Sequence, residues 1–132
     1  MKNRSEFLYE LKEKQIGSID SQSSIEESFQ NITLRPILKF QNELLIQVFT
    51  EYCIKQKNEF FKLSVNKKLE YIENSLQRDM KFRDFLKGIV VGLMTSEEYI
   101  FYSRNASNLN KRLTSMLIER LKSQVQLIIF EN

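Results

Sequence analysis

Tyr99, Tyr102, Ala106, Leu109, Leu113 and Met116 recur at alternating intervals of three and four residues, the spacing that places side chains on one face of an α-helix. The stripe continues through Leu117, Leu121, Val125 and Ile128, and neither Gly nor Pro interrupts it between Ser96 and Asn132. Just ahead of it stands a capping box, Thr95-Ser96-Glu97-Glu98. There the Thr95 hydroxyl can accept from the Glu98 amide while the Glu98 carboxylate reaches back to the Thr95 amide. The pattern predicts one long helix over residues 96–129, with its weak spot at Asn105 to Asn108, where polar side chains compete for the backbone.

A second long helical pattern runs over about residues 25–60, opened by the capping pair Ser24 and Glu27 and interrupted only by Pro36. Proline lacks an amide donor and biases Arg35 away from helical geometry, so a kink or short break is expected near residues 33–36. Downstream, Ile37, Phe40, Leu44, Leu45, Val48, Phe49 and Tyr52 spread over an arc of about 180° at ~100° per residue. A surface helix with a single neighbour needs only about 100°. Between the long helices, two shorter ones are expected: Lys67–Gln77, and Met80–Leu93 with Asp79 as its cap. Gly88 and Gly92 share a face of the latter, which predicts close backbone packing inside the bundle. Ser5 is the expected cap of a short helix from Glu6 to about Gln15, ending before Gly17 and a Ser-rich loop.

The expected fold class is therefore all-α, a helical bundle with two long helices and shorter helices between them. Residues 1–23 make an N-terminal arm and residues 24–132 a single helical domain. Three Gly and one Pro in 132 residues support this reading, because a turn-rich β architecture consumes both. The single Cys53, flanked by Tyr52 and Ile54, suits a small packed side chain in a reducing compartment. The chain opens on mixed charge with no apolar signal core, and its longest apolar run falls far short of the ~20 residues of a spanning helix. A cytoplasmic protein without membrane contact is expected.

The sequence contains no histidine. That removes the usual proton carrier near neutral pH, the commonest metal ligand and the base that activates a Ser or Cys nucleophile. No Walker sequence or Gly-rich phosphate loop is present. No catalytic residue, metal site or cofactor is expected, and the chain reads as leaning away from enzymes. Two sets of side chains remain as candidates. Arg35, Tyr71, Asn110, Arg112 and Glu119 are the candidate lining of an interhelical pocket or contact surface. Arg78, Lys81, Arg83 and Lys87, with Phe82 and Phe85 among them, are candidate phosphate-contacting groups. Asp79 and Asp84 partly neutralise that stretch. The net charge is only +3, with eleven basic and seven acidic residues in the middle segment 35–95, so nucleic-acid binding ranks behind the other readings.

Several stretches carry a resemblance: Leu34-Arg35-Pro36-Ile37-Leu38-Lys39, Leu69-Glu70-Tyr71-Ile72-Glu73-Asn74, Phe82-Arg83, Leu86-Lys87-Gly88, and Leu109-Asn110-Lys111-Arg112 with Ile118-Glu119-Arg120-Leu121. They resemble a group of small all-helical bacterial proteins sometimes labelled "glyoxalase". The resemblance implies an all-α fold and supplies no functional residues. Metal-dependent glyoxalases need His and Glu ligands, a set this sequence cannot provide. The function expected is a non-catalytic interaction or scaffold protein acting as a homodimer. The alternatives are a small-molecule binder or enzyme built on the Arg/Tyr/carboxylate pocket, and a weak nucleic-acid binder.

Overall fold

The computed structural model describes residues 2–12 and 24–130. Among the described residues eight α-helices follow one another: α1 (Arg4–Lys12), α2 (Ile25–Phe29), α3 (Arg35–Phe40), α4 (Asn42–Lys55), α5 (Val65–Arg78), α6 (Met80–Val91), α7 (Ser96–Arg104) and α8 (Ala106–Ser123). A π-helical turn, Gln30–Leu34, joins α2 to α3, and 3-10 turns occupy Glu59–Lys62 and Val125–Leu127. The described residues contain no strand, so the all-α class expected from the sequence is what forms.

Local capping chemistry fixes most boundaries. The Ser64 hydroxyl accepts from the Lys67 amide and Asp79 Oδ1 from the Phe82 amide, starting α5 and α6. Ser24 accepts from the Glu27 amide to start α2. Thr95 and Glu98 form the full reciprocal box at the head of α7. The start of α1 differs from expectation: Asn3 Oδ1, not the Ser5 hydroxyl, accepts from the Glu6 amide at 2.9 Å, so the helix begins at Arg4. Its expected end near Gln15 and Gly17 lies outside the described residues.

Neither long helix is continuous. At Pro36 the chain does not break; the preceding turn widens into the π form, with the Arg35 amide donating to Gln30. The extra residue in that turn makes room for the proline ring, and Arg35 stays right-handed helical at φ −61°, ψ −45°. The break falls later, at Gln41, where φ −91° and ψ 5° leave helical geometry. Helix α4 then stops at Lys55, short of residue 60, because Lys57 and Asn58 adopt left-handed φ values of 70° and 62°. The Asn58 amide reaches back to the Cys53 carbonyl at 3.1 Å, a Schellman-type ending with a lysine where glycine is usual. The helix expected over residues 96–129 is likewise divided. Asn105 turns out of the helix at φ −119°, ψ 28°, and its side-chain amide donates to the Phe101 carbonyl at 2.8 Å. A short polar side chain here competes with the backbone for the last carbonyls of α7.

Helices α4, α5, α6 and α8 pack around a core led by Phe49, Phe60, Ile72, Leu76, Leu86, Leu113 and Leu117, all fully buried. Leu109, Leu113, Met116, Leu117 and Leu121 of the apolar stripe are buried as their spacing predicts. Tyr52 stacks on Phe82 with ring centroids 3.8 Å apart and donates to Asp79 Oδ2, tying α4 to the α5–α6 junction. The expected close packing at Gly88 and Gly92 does not occur: both are exposed, and a Cβ on Gly88 would meet nothing within 4 Å. Gly88 lies behind the buried stripe Phe82, Leu86, Val90 at ~100° per residue, so no neighbouring backbone faces it.

Helix α1 is held by polar contacts. Arg4 donates to the carbonyls of Gly92 and Met94 at 2.9 and 3.0 Å. Lys12 donates to Leu93 O and to Glu98 Oε1, at 3.1 and 2.8 Å. Lys12 is 3% exposed. Glu98 Oε1 also accepts from the Thr95 amide, and Oε2 accepts from the Thr33 hydroxyl at 2.8 Å. Burial pushes the Glu98 carboxyl upward, but the bonds from Lys12, the Thr95 amide and Thr33 outweigh it and hold the group below its ordinary range.

Two outcomes are expected. Lys57→Gly should raise the urea midpoint, stabilising by about 1 kcal/mol through relief of left-handed strain, whereas a lower midpoint would contradict the Schellman ending. A carboxylate with a depressed folded-state pKa adds stability that is present above its unfolded pKa and is lost as pH falls through the folded value. Lys12→Met removes the strongest influence holding Glu98 down, so the variant should lose roughly 3 kcal/mol at neutral pH and begin acid unfolding at a higher pH. Urea midpoints measured across pH 3–7 check both effects, the pH span covering the ordinary carboxylate range of about 4.

Candidate functional site

The five residues expected around one pocket fall in four places. Arg35 and Glu119 do meet, in a groove of about 290 Å³ between α3 and α8 that Leu38, Met116, Arg120 and Ser123 complete. Burial lowers the Arg120 pKa and the neighbouring Arg35 cation lowers it further, while Arg120 Nη1 lies 3.4 Å from Asn42 Oδ1. Arg112 instead bonds Gln30 Oε1 at 3.0 Å and pins α8 to the π turn. Tyr71 joins the aromatic cluster, edge-on to Phe49 and Phe60 with centroids 6.4 and 5.3 Å away. Asn110 accepts from the Tyr102 hydroxyl and lines a different groove.

That second groove, about 370 Å³ between α6 and α8, is lined by Arg83, Lys87, Asn110, Lys111, Thr114 and Ser115. It brings together two of the four candidate phosphate-contacting residues; Arg78 and Lys81 are exposed and take no part in the lining. Arg83 Nη1 donates to the carbonyls of Leu76 and Gln77 at 3.2 and 3.1 Å, which holds its guanidinium against the end of α5. Lys111 belongs to the polar group of the long helix, whereas Thr114 and Ser115 are not among the residues expected from the sequence. The signal that could have found them is their spacing, since Asn110 and Thr114, and Lys111 and Ser115, lie four apart on one side of α8.

Exposed apolar side chains gather along α4. Phe40 at the end of α3 and Leu44 of α4 are 43% and 47% exposed and share a groove with Glu43 and Gln47, and Phe85 of α6, 58% exposed, lines the next groove, which Gln47 also borders. One flank of α4 is a cavity of about 340 Å³ lined by Gln47, Val48, Glu51, Tyr52, Lys55, Phe82 and Phe85. The other flank, about 450 Å³, lies against the chain end, where Leu127 and Ile129 face Ile46, Thr50 and Ile54. Ile128 between them is fully buried. Of the two aromatic residues read as core or base-stacking groups, Phe82 is therefore core and Phe85 is surface.

Among the described residues no group of three His, Cys, Asp or Glu side chains could hold a metal ion, and no helix is long and apolar enough to cross a membrane. Cys53 sits inside the core with its thiol pKa pushed up to about 12 by burial. Known protein families, curated proteins and solved structures give no match to this chain.

A thiol in that position should resist a thiolate-directed disulfide reagent in the folded protein and react at once in denaturant. Release of the reagent's chromophore, followed with and without guanidinium, measures this; rapid labelling of the native chain would mean that the core around Phe49 opens readily.

Proposed function

We propose that this protein is a non-catalytic helical interaction protein that acts in the cytoplasm as a homodimer, joined through the outer face of α4. The observation that carries the reading is a set of three large apolar side chains on and beside α4, Phe40, Leu44 and Phe85, each close to half exposed or more, in two grooves that both border Gln47. Exposed apolar side chains gathered along one helix mark contacts. A second copy is the partner its chemistry favours. Helix α4 bears Glu43 in its first turn and Lys55 in its last, so an antiparallel two-fold apposition brings the acidic start of each helix to the basic end of the other. A two-fold axis is the commonest way to close such a contact, and helix ridges pack into the grooves that flank α4.

Light scattering after size exclusion at low micromolar concentration tests the reading. The expected mass is that of two chains for the parent protein and of one chain for Leu44→Glu and Phe85→Glu, with unchanged helical circular dichroism. A parent protein that elutes as one chain, or variants that remain paired, would overturn it.

A further inference from the structure

We propose that the groove between α6 and α8 is a receptor for the phosphoryl group of a small molecule, either a phosphate monoester or a diphosphate. Among the described residues six line the groove, all carry hydrogen-bond donors and none is a carboxylate: Arg83, Lys87 and Lys111 are cations, Thr114 and Ser115 bring hydroxyls, and Asn110 an amide. The two helices contribute facing rows. Arg83 and Lys87 are four residues apart on α6, as are Asn110 and Thr114 on α8, so each pair points to the same side of its helix.

Two of the donors, Arg83 and Asn110, are held in place before any ligand arrives. Arg83 is fixed through Nη1 by the last carbonyls of α5, which leaves its other guanidinium edge free of that task. The Tyr102 hydroxyl donates to Asn110 Oδ1, and this bond commits the oxygen and turns the amide's donor end to other partners. The Lys87 side chain is only 16% exposed, and its nearest carboxylate, Asp84, stands 4.0 Å away on a side chain that is itself 63% exposed. Burial lowers the Lys87 pKa, the Arg83 cation lowers it further, and Asp84 opposes them without restoring the ordinary value. The groove thus holds positive charge that its own lining does not balance.

The number of donors selects among anions. A carboxylate offers two oxygens and a single charge, too little to engage three cations and three neutral donors. A phosphoryl group offers three oxygens and nearly two charges. The cavity of about 370 Å³ falls in the range of small-molecule clefts, roughly 300–1,000 Å³. A nucleic-acid backbone fits less well, because Arg78 and Lys81 lie outside the groove and Asp84 stands at its rim. The α3–α8 groove also contains paired arginines, but Glu119 in its lining already supplies an opposing charge.

Isothermal titration of the full chain with pyrophosphate tests the assignment, with a single-stranded oligonucleotide as a second titrant. Saturable binding is expected, weakened about tenfold or more in Lys87→Gln and separately in Lys111→Gln, and unchanged in Lys62→Gln, whose cation lies on the Glu59–Lys62 turn and takes no part in the lining. Lys87→Gln should melt no lower than the parent protein, since it removes a charge the ligand-free groove does not balance, and the exposed Lys111 provides a second variant whatever the melting behaviour of the first. Absence of saturation, an equal loss in Lys62→Gln, or oligonucleotide affinity that rises with length and survives both groove substitutions would overturn the proposal.

Discussion

One carboxylate, Glu98, joins three parts of the chain that lie far apart in sequence. Its Oε1 accepts from Lys12 of α1 and from the Thr95 amide, and its Oε2 accepts from Thr33 in the π turn. Burying a carboxylate and an ammonium together is costly, and such a pair persists only when the remaining polar positions are satisfied. Here they are, since the ammonium also bonds the Leu93 carbonyl that ends the α6 segment. The location adds a further contribution, because the first turn of a helix favours negative charge. Glu98 therefore ties the head of α7 to α1, to the π turn and, through Lys12, to the carbonyl that follows α6. Beyond it, Tyr102 reaches Asn110, and Asn110 places the polar side of α8 against α6.

What the sequence made legible was the local chemistry. Caps at Thr95, Asp79 and Ser24 act within three or four residues of themselves, and the buried stripe of α8 follows from period alone. Where distant partners decide, the sequence offers little. Nothing near Lys12 announces a carboxylate 86 residues away. Pro36 looks like a breaker because the local rule considers only the missing amide and the ring, whereas a widened turn accommodates both and leaves Arg35 helical. The reverse error occurs at Lys57, which does not look like a helix terminator, yet a left-handed lysine ends α4 there. At Asn105 the local chemistry was legible, since the polar run 105–108 is the weak point of the long pattern and a side-chain bond to Phe101 ends α7 at its first residue.

The candidate sites divide on the same line. Arg83 and Lys87 are neighbours by helical spacing, so their association could be read from the sequence, but the hydroxyls of Thr114 and Ser115 meet them only because α8 packs beside α6. Arg112 and Glu119 are two turns apart on one helix and looked like one site. The bond from Arg112 to Gln30 and the position of Glu119 beside Arg35 separate them. Polar side chains on a long helix are shared out among its neighbours, and which neighbour takes which is a tertiary property.

Helix α6 carries both of the surfaces to which function is assigned, and its geometry keeps them apart. At ~100° per residue, the buried stripe Phe82, Leu86 and Val90 forms one face, Arg83 and Lys87 lie along one edge of it, and Phe85 lies along the other. The apolar side chains along α4 and the donor groove with α8 are thus separated by the core itself. Phe85 can contact a partner without entering the groove, and Lys87 can contact an anion without approaching α4. Any influence of one event on the other must pass through displacement of α6 against packed side chains, and linkage requires that influence to be equal in both directions. Close packing of Phe82 on Tyr52 and of Leu86 within the core resists such displacement, so substitutions at Phe85 and at Lys87 act on separate surfaces of one helix and their effects should add.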